Sequence, residues 1–123
     1  KSSLAKYIIL SAVLKLKKGS RLQIARNINR YLSARRKTQD LTWPNAGCIF
    51  KNPKRAPAGM LIDLCGLKGH TIGAAFVSER HANFILNKGG ASAKDVLRLI
   101  QVIVKQVRDK FRLTLQPEIK IWR

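Results

Sequence analysis

Acidic side chains are scarce in this chain: 6 Asp and Glu stand among 123 residues, against 25 Lys and Arg. No two acids fall at helical spacing, so a catalytic carboxylate pair set on one helix face is excluded. Cysteine is scarcer still. Cys48 and Cys65 form no CxxC, which speaks against a zinc site or a redox dithiol. We expect both thiols to be reduced and the setting to be cytoplasmic. No apolar run approaches the ~18 residues of a membrane span, so no membrane role is expected. P-loop, GxGxxG, HExxH and GxSxG motifs are all missing, which removes the common nucleotide cradles, zinc proteases and serine-hydrolase elbows.

What is present is an ordinary core inside an unusually basic shell. The hydrophobic fraction is 46% and the formal net charge +19. A chain of this length makes one domain, residues 1–123, with a real core but little room to house a large cofactor as well. The surplus charge is a surface property. It predicts affinity for a polyanion, whether a diphosphate, an RNA or an acidic neighbouring domain, and it also suits a merely solvated surface. Residues 1–39 carry eleven Lys and Arg and no acid, yet no run of five like charges marks a disordered basic tail. The chain opens on Lys1 rather than Met and lacks a signal-peptide pattern, so a fragment or processed product is expected.

Hydrophobic patterning divides the chain into alternating elements. Residues 7–16, YIILSAVLKL, are apolar and β-rich, and predict a strand ending at Lys17-Lys18-Gly19. Ser20 and Gln23 predict a capping box opening an amphipathic helix to about Arg35, with Leu22, Ile24, Ile28 and Leu32 turned toward that strand. Residues 37–57 hold three of the four prolines and read as loop, with one short strand at 48–50. A helix is predicted over 58–65, closed by Gly66, with Met60, Leu61, Leu64 and Cys65 on one side. Strands at 72–77 and 83–86 follow, joined by Ser78-Glu79-Arg80-His81. Ser92 and Asp95 then cap a long helix with Val96, Leu99, Ile100, Ile103, Val107 and Phe111 at helical spacing. A last strand is predicted over 113–121, at an edge or bulge because of Pro117. Together these make an α+β domain with a small, mainly antiparallel sheet.

From residue chemistry alone the possible acids are Cys48, Glu118, His70 and His81. Cys48 follows a Gly turn and precedes Lys51, and a thiol gives up its proton far more readily than a serine hydroxyl. The same residue reads equally as a small buried hydrophobe, the commoner fate of a free cysteine. Glu118 reads as a carboxylic acid in a site or as half of a surface ion pair. His81 reads as an acid–base group or as a satisfied, partly exposed histidine.

Four ordered stretches narrow these choices. NAGCIFKNP at 45–53, AGMLIDLCGLKG at 58–69, GAAFVSERHANFILNKGGASAKDV at 73–96 and LQPEIKI at 115–121 resemble the C-terminal, substrate-binding domain of the UDP-N-acetylenolpyruvoylglucosamine reductases, the MurB flavoenzymes of peptidoglycan synthesis. The stretches SSLAKYIILSAVLKL and LSARRKTQDL are similar to the segment leading out of that family's flavin domain. With almost no spacer between Pro53 and Ala58, the chain resembles the family's shorter subclass.

The resemblance implies a MurB-like α+β domain and an NADPH-dependent reduction, through FAD, of UDP-N-acetylglucosamine enolpyruvate to UDP-N-acetylmuramate. It implies that Cys48 stands where the family's GSxFKNP pattern has a serine proton donor, and that Glu118 matches the carboxylic acid that stabilises the enolic intermediate, a role requiring a proton. Asn52 and Lys68 match substrate-binding positions, His81 falls where some members use glutamine, and Arg36 or Lys37 matches a diphosphate contact. The FAD-binding domain, with its catalytic arginine, precedes this segment in the family. No FAD or NADPH is therefore expected on these residues alone, and they should not reduce anything by themselves. A second reading, from a different class, is a stand-alone, non-catalytic derivative binding RNA or a ribonucleoprotein through its basic surface, although interleaved aromatics of the RNA-stacking type are missing.

Overall fold

The computed structural model describes residues 7–40 and 42–121. Helix α1 runs Arg21–Thr38, strand β1 Asn45–Cys48, helix α2 Ala58–Leu64, strands β2 Thr71–Ile72, β3 Ala75–Val77 and β4 Phe84–Asn87, and helix α3 Ala93–Phe111. The four strands form one antiparallel sheet in the order β1-β4-β3-β2. The expected α+β class with a small antiparallel sheet is what the structure has.

Helix α3 forms where the sequence places it because both ends are chemically specified. Ser92 Oγ accepts from the Asp95 N–H, and the Asp95 carboxylate accepts from the Ser92 N–H at 2.9 Å, completing a capping box. Leu99, Ile100, Ile103 and Val107 then bury one stripe against the sheet face formed by Ala75, Val77 and Ile85. Arg112, in the left-handed region at φ 54°, ends the helix with its N–H on the Arg108 carbonyl. Helix α2 packs beside α3 and completes this layer with Ala58, Leu61 and Ile62. The opposite sheet face carries a smaller apolar cluster, Phe76, Phe84 and Leu86, and Cys48 packs against it.

Several expected elements take another form. Residues 7–20 form no strand, and Tyr7, Ile8, Leu10, Val13 and Leu16 are exposed; α1 buries no residue either. An extended segment needs a strand edge to pair with, and the four described strands pair only among themselves. Helix α1 also runs on to Thr38, and Ser20 makes no side-chain cap: Gln23 instead donates to Asn27, one turn along. The short strand lies at Asn45–Cys48 rather than 48–50, although Phe50 makes a single bridge with Pro117.

The run 72–77 is not one strand but a tight hairpin, β2 and β3, reversed at Gly73 with φ 58°. A Cβ there would lie 2.6 Å from the Asp95 carboxylate, so glycine is required both for the turn and for the approach of α3. On α2 the buried side is Ala58, Leu61 and Ile62, whereas Met60 and Leu64 are half exposed. The pattern at 58–65 was too short to tell a core stripe from a cleft wall. Residues 113–121 are not a strand: Lys51 and Glu118 donate to the Gln116 and Ile49 carbonyls on either side of Pro117, which has no N–H to continue a ladder.

Candidate functional site

The position of Cys48 follows from a bulge. Asn45 pairs with Leu86 and Cys48 with Phe84, so β1 carries one residue more than β4 between the two pairs. Gly47 supplies the turn, with φ 76° and its N–H on the Asn45 side-chain oxygen at 3.0 Å. Past the bulge, the chain is gripped by Asn83. Its side-chain oxygen accepts from the Phe50 N–H at 2.9 Å, its amide nitrogen donates to the Phe50 carbonyl at 2.8 Å, and its backbone carbonyl accepts from the Ile49 N–H at 2.9 Å.

Cys48, half-buried, forms part of the wall of a cleft of about 240 Å³ with Asn52, Met60, Lys68, Arg80 and His81. Asn52 stands at the loop entering α2, its side-chain oxygen accepting from the Ala58 N–H at 2.9 Å. Lys68, in the turn after α2, is paired with Asp63 on that helix. His81 Nδ1 accepts from the Asn83 N–H at 3.3 Å, and the ring leans on Phe84 with centroids 4.6 Å apart. An imidazole whose Nδ1 accepts carries its proton on Nε2 when neutral, so it is a donor at that corner. Gly59 of α2 faces the His81 ring, where a Cβ would make an ordinary contact at 3.4 Å.

Two further depressions adjoin the cleft. Cys48 is shared with one lined by Ala46, Glu118 and Ile119, and Arg80 with one lined by Arg36, Gln39 and Thr42. Arg80 also donates to the Arg36 carbonyl at 3.2 Å, tying the end of α1 to the cleft. The three adjoining hollows make a groove that carries a thiol and a carboxylate in one part and Arg80 and Arg36 in another, with Lys68, paired to Asp63, in the cleft between them. Burial pushes the Cys48 thiol above its ordinary value, the Glu118 charge adds to that, and the nearby Asn83 amide works against it. The thiol therefore keeps its proton at neutral pH.

Of the residues singled out from sequence, Cys48, Asn52, Lys68 and His81 meet in one cleft, with Glu118 and Arg36 in its two extensions. Lys37 lies on the exposed last turn of α1 and lines none of these hollows; His70 sits in an exposed turn away from the cleft. Sequence reasoning missed Arg80, Asp63 and Asn83. Arg80 was one polar residue among four in a link, and Asp63 is legible only through its partner. Asn83 had a signal: a carboxamide inside an apolar run must find buried partners. Both cysteines are free. Among the described residues no group of three His, Cys, Asp or Glu could hold a metal, and no helix is long and apolar enough to cross a membrane.

Comparison with known proteins gives this groove a context. Residues 38–122 match the family described as UDP-N-acetylenolpyruvoylglucosamine reductase, C-terminal domain. The chain is 47% identical over 116 residues to the UDP-N-acetylenolpyruvoylglucosamine reductase of Anoxybacillus flavithermus, covering 94% of this chain and 38% of that protein. It is 45% identical over 117 residues to that of Fervidobacterium nodosum, with the same coverage. Among solved structures, the UDP-N-acetylenolpyruvylglucosamine reductase of Thermus caldophilus superposes with a TM-score of 0.70 at 40% identity, over 89% of this chain and 38% of that one. The chain thus spans 38% of the length of these relatives. They lend nothing to the RNA-binding reading. On the extent of the matched segment and on fold alike, the chain belongs to the family of UDP-N-acetylenolpyruvoylglucosamine reductase C-terminal domains.

Proposed function

We propose that the chain is the substrate-binding domain of a cytoplasmic oxidoreductase that converts UDP-N-acetylglucosamine enolpyruvate to UDP-N-acetylmuramate in peptidoglycan synthesis. The observation that carries this reading is the convergence of Cys48, Asn52, Lys68 and His81, from three separated segments, on one cleft.

The groove suits a long anionic ligand with a reactive end. Lys68, Arg80 and Arg36 offer charge-assisted donors along the path of a diphosphate, and the Asn52 amide and His81 Nε2 offer neutral ones at the sugar. The enolpyruvyl group lies at the end where Cys48 and Glu118 stand. Reduction of its double bond takes a hydride on one carbon and a proton on the other, and Cys48, kept protonated by burial, supplies that proton and is left as a thiolate. Glu118, one depression away, serves the enolic oxygen that forms between the two transfers. Bulk solvent then returns the proton to the thiol.

The hydride donor implied by the family is NADPH acting through FAD. The residues described here do not fit FAD: no glycine-rich phosphate loop opens a helix. The FAD-binding part therefore lies outside these residues. The exposed apolar side chains of 7–16 and of α1 offer a surface against which it packs.

In the full-length protein, Cys48→Ala should abolish enolpyruvate-dependent NADPH oxidation, while substrate binding, read by calorimetry, stays nearly intact. Parental turnover by Cys48→Ala ends the proton-donor reading.

A further inference from the structure

We propose that Asn83 is the positioning residue that holds the Cys48 thiol toward the cleft. The inference rests on reading Cys48 as the proton donor. Its basis is the geometry around residues 48–50. The bulge at Gly47 re-aims Cys48 and shifts the register of β1 between the Asn45–Leu86 and Cys48–Phe84 pairs. A displaced strand end of this kind is free to drift unless something fixes its register.

Asn83 fixes it from both sides of one peptide. A carboxamide carries an acceptor and a donor at one reach, and here they meet the N–H and the carbonyl of the same residue, Phe50, at 2.9 and 2.8 Å. The backbone carbonyl of Asn83 takes the neighbouring Ile49 N–H at 2.9 Å. The side chain thus stands in for a strand partner. Ala would supply neither group, Asp would lose the donor, and Gln would carry both one methylene too far. Asn83 is 2% exposed, so water cannot make good what a substitution removes.

The same residue supports the opposite wall. Its N–H is held by His81 Nδ1 at 3.3 Å, and Gly59 of α2 approaches both His81 and Asn83 closely enough that a Cβ would touch each. Proton donor, imidazole and α2 therefore all meet at this one buried residue, the strand by its side chain and backbone carbonyl and the imidazole by its backbone N–H. Its amide also favours the thiolate, against burial and Glu118. The charged and titratable groups around the thiol are Glu118 from the C-terminal segment, His81 and Arg80 from the link before β4, and Asp63 and Lys68 from α2 and its following turn.

The test uses the full-length protein with two neutral variants, Asn83→Ala and Asn83→Gln, so that no new charge alters the thiol. If the alanine variant does not fold, the glutamine variant decides. Alkylation of Cys48 by iodoacetamide is followed against pH by peptide mass spectrometry, beside kcat and KM. The expected result is a kcat lower by about a hundredfold, the scale of a misplaced reacting group, with KM little changed and the alkylation midpoint moved to higher pH. A parental kcat, a rise in KM alone, or an unmoved alkylation midpoint overturns the proposal. Cys48→Ala separates the two readings: full activity there removes the proton-donor assignment itself, whereas loss there with normal Asn83 variants removes only the role of Asn83.

Discussion

At Cys48, desolvation and the Glu118 charge oppose the thiolate more strongly than Asn83 favours it, so the acid form extends above the ordinary thiol range. If that thiol gives the proton, turnover of the full-length protein should be flat through neutral pH and fall as pH rises through the raised thiol value. Cys48→Ser should remove this alkaline fall, since a serine hydroxyl does not titrate there; a pH–rate profile of both proteins checks it. Stability follows the same sign: the thiol form contributes fully below the unfolded thiol value and its contribution is lost as pH rises through the folded one. Gly73 is the other residue whose chemistry is set by one atom. Gly73→Ala adds a left-handed penalty of about 1–2 kcal/mol to a clash with Asp95, and should lower the urea midpoint by more than that penalty alone.

Among the elements, α3 was the most legible because its information is local: a capping pair, an apolar stripe and charges all lie within consecutive residues. Ser92→Ala should cost ~1 kcal/mol in chemical unfolding. The Asp95 carboxyl is held below its ordinary value, first by the backbone hydrogen bond at Ser92 and then by the Ser92 side chain. A depressed carboxylate contributes stability above its unfolded value of about 4, lost as pH falls through the folded one. Acid titration of Asp95→Asn should therefore show a shallower loss of stability below pH ~4 than the parent. The hairpin of β2 and β3 was less legible, because the run 72–77 is apolar across the turn and only the positive φ of Gly73 breaks it. The edge segment 113–121 failed as a strand for the reason its proline announced, yet its two flanking hydrogen bonds still carry Glu118 to Cys48.

Over the whole molecule, the folded body is residues 42–121, while residues 7–20 and α1 present Tyr7, Ile8, Leu10, Leu14, Leu22 and Tyr31 to solvent. Such a surface, on a chain spanning 38% of its relatives, should self-associate when isolated and become covered in the full-length protein. Light scattering of the two compares them directly; a monodisperse isolated chain would contradict this. The sequence by itself determined the α+β class, the capped helix, the scarcity of acids and the family motifs, because each is written in residue type and short-range spacing. Only the tertiary structure decided which of those residues share a cleft, that Arg80 joins them and Asn83 braces the strand behind, that Lys37 lines none of the hollows, and that residues 7–16 form no strand. Those outcomes depend on contacts between segments far apart in the chain, and on whether a partner edge exists to receive an apolar run, and neither is encoded in local spacing.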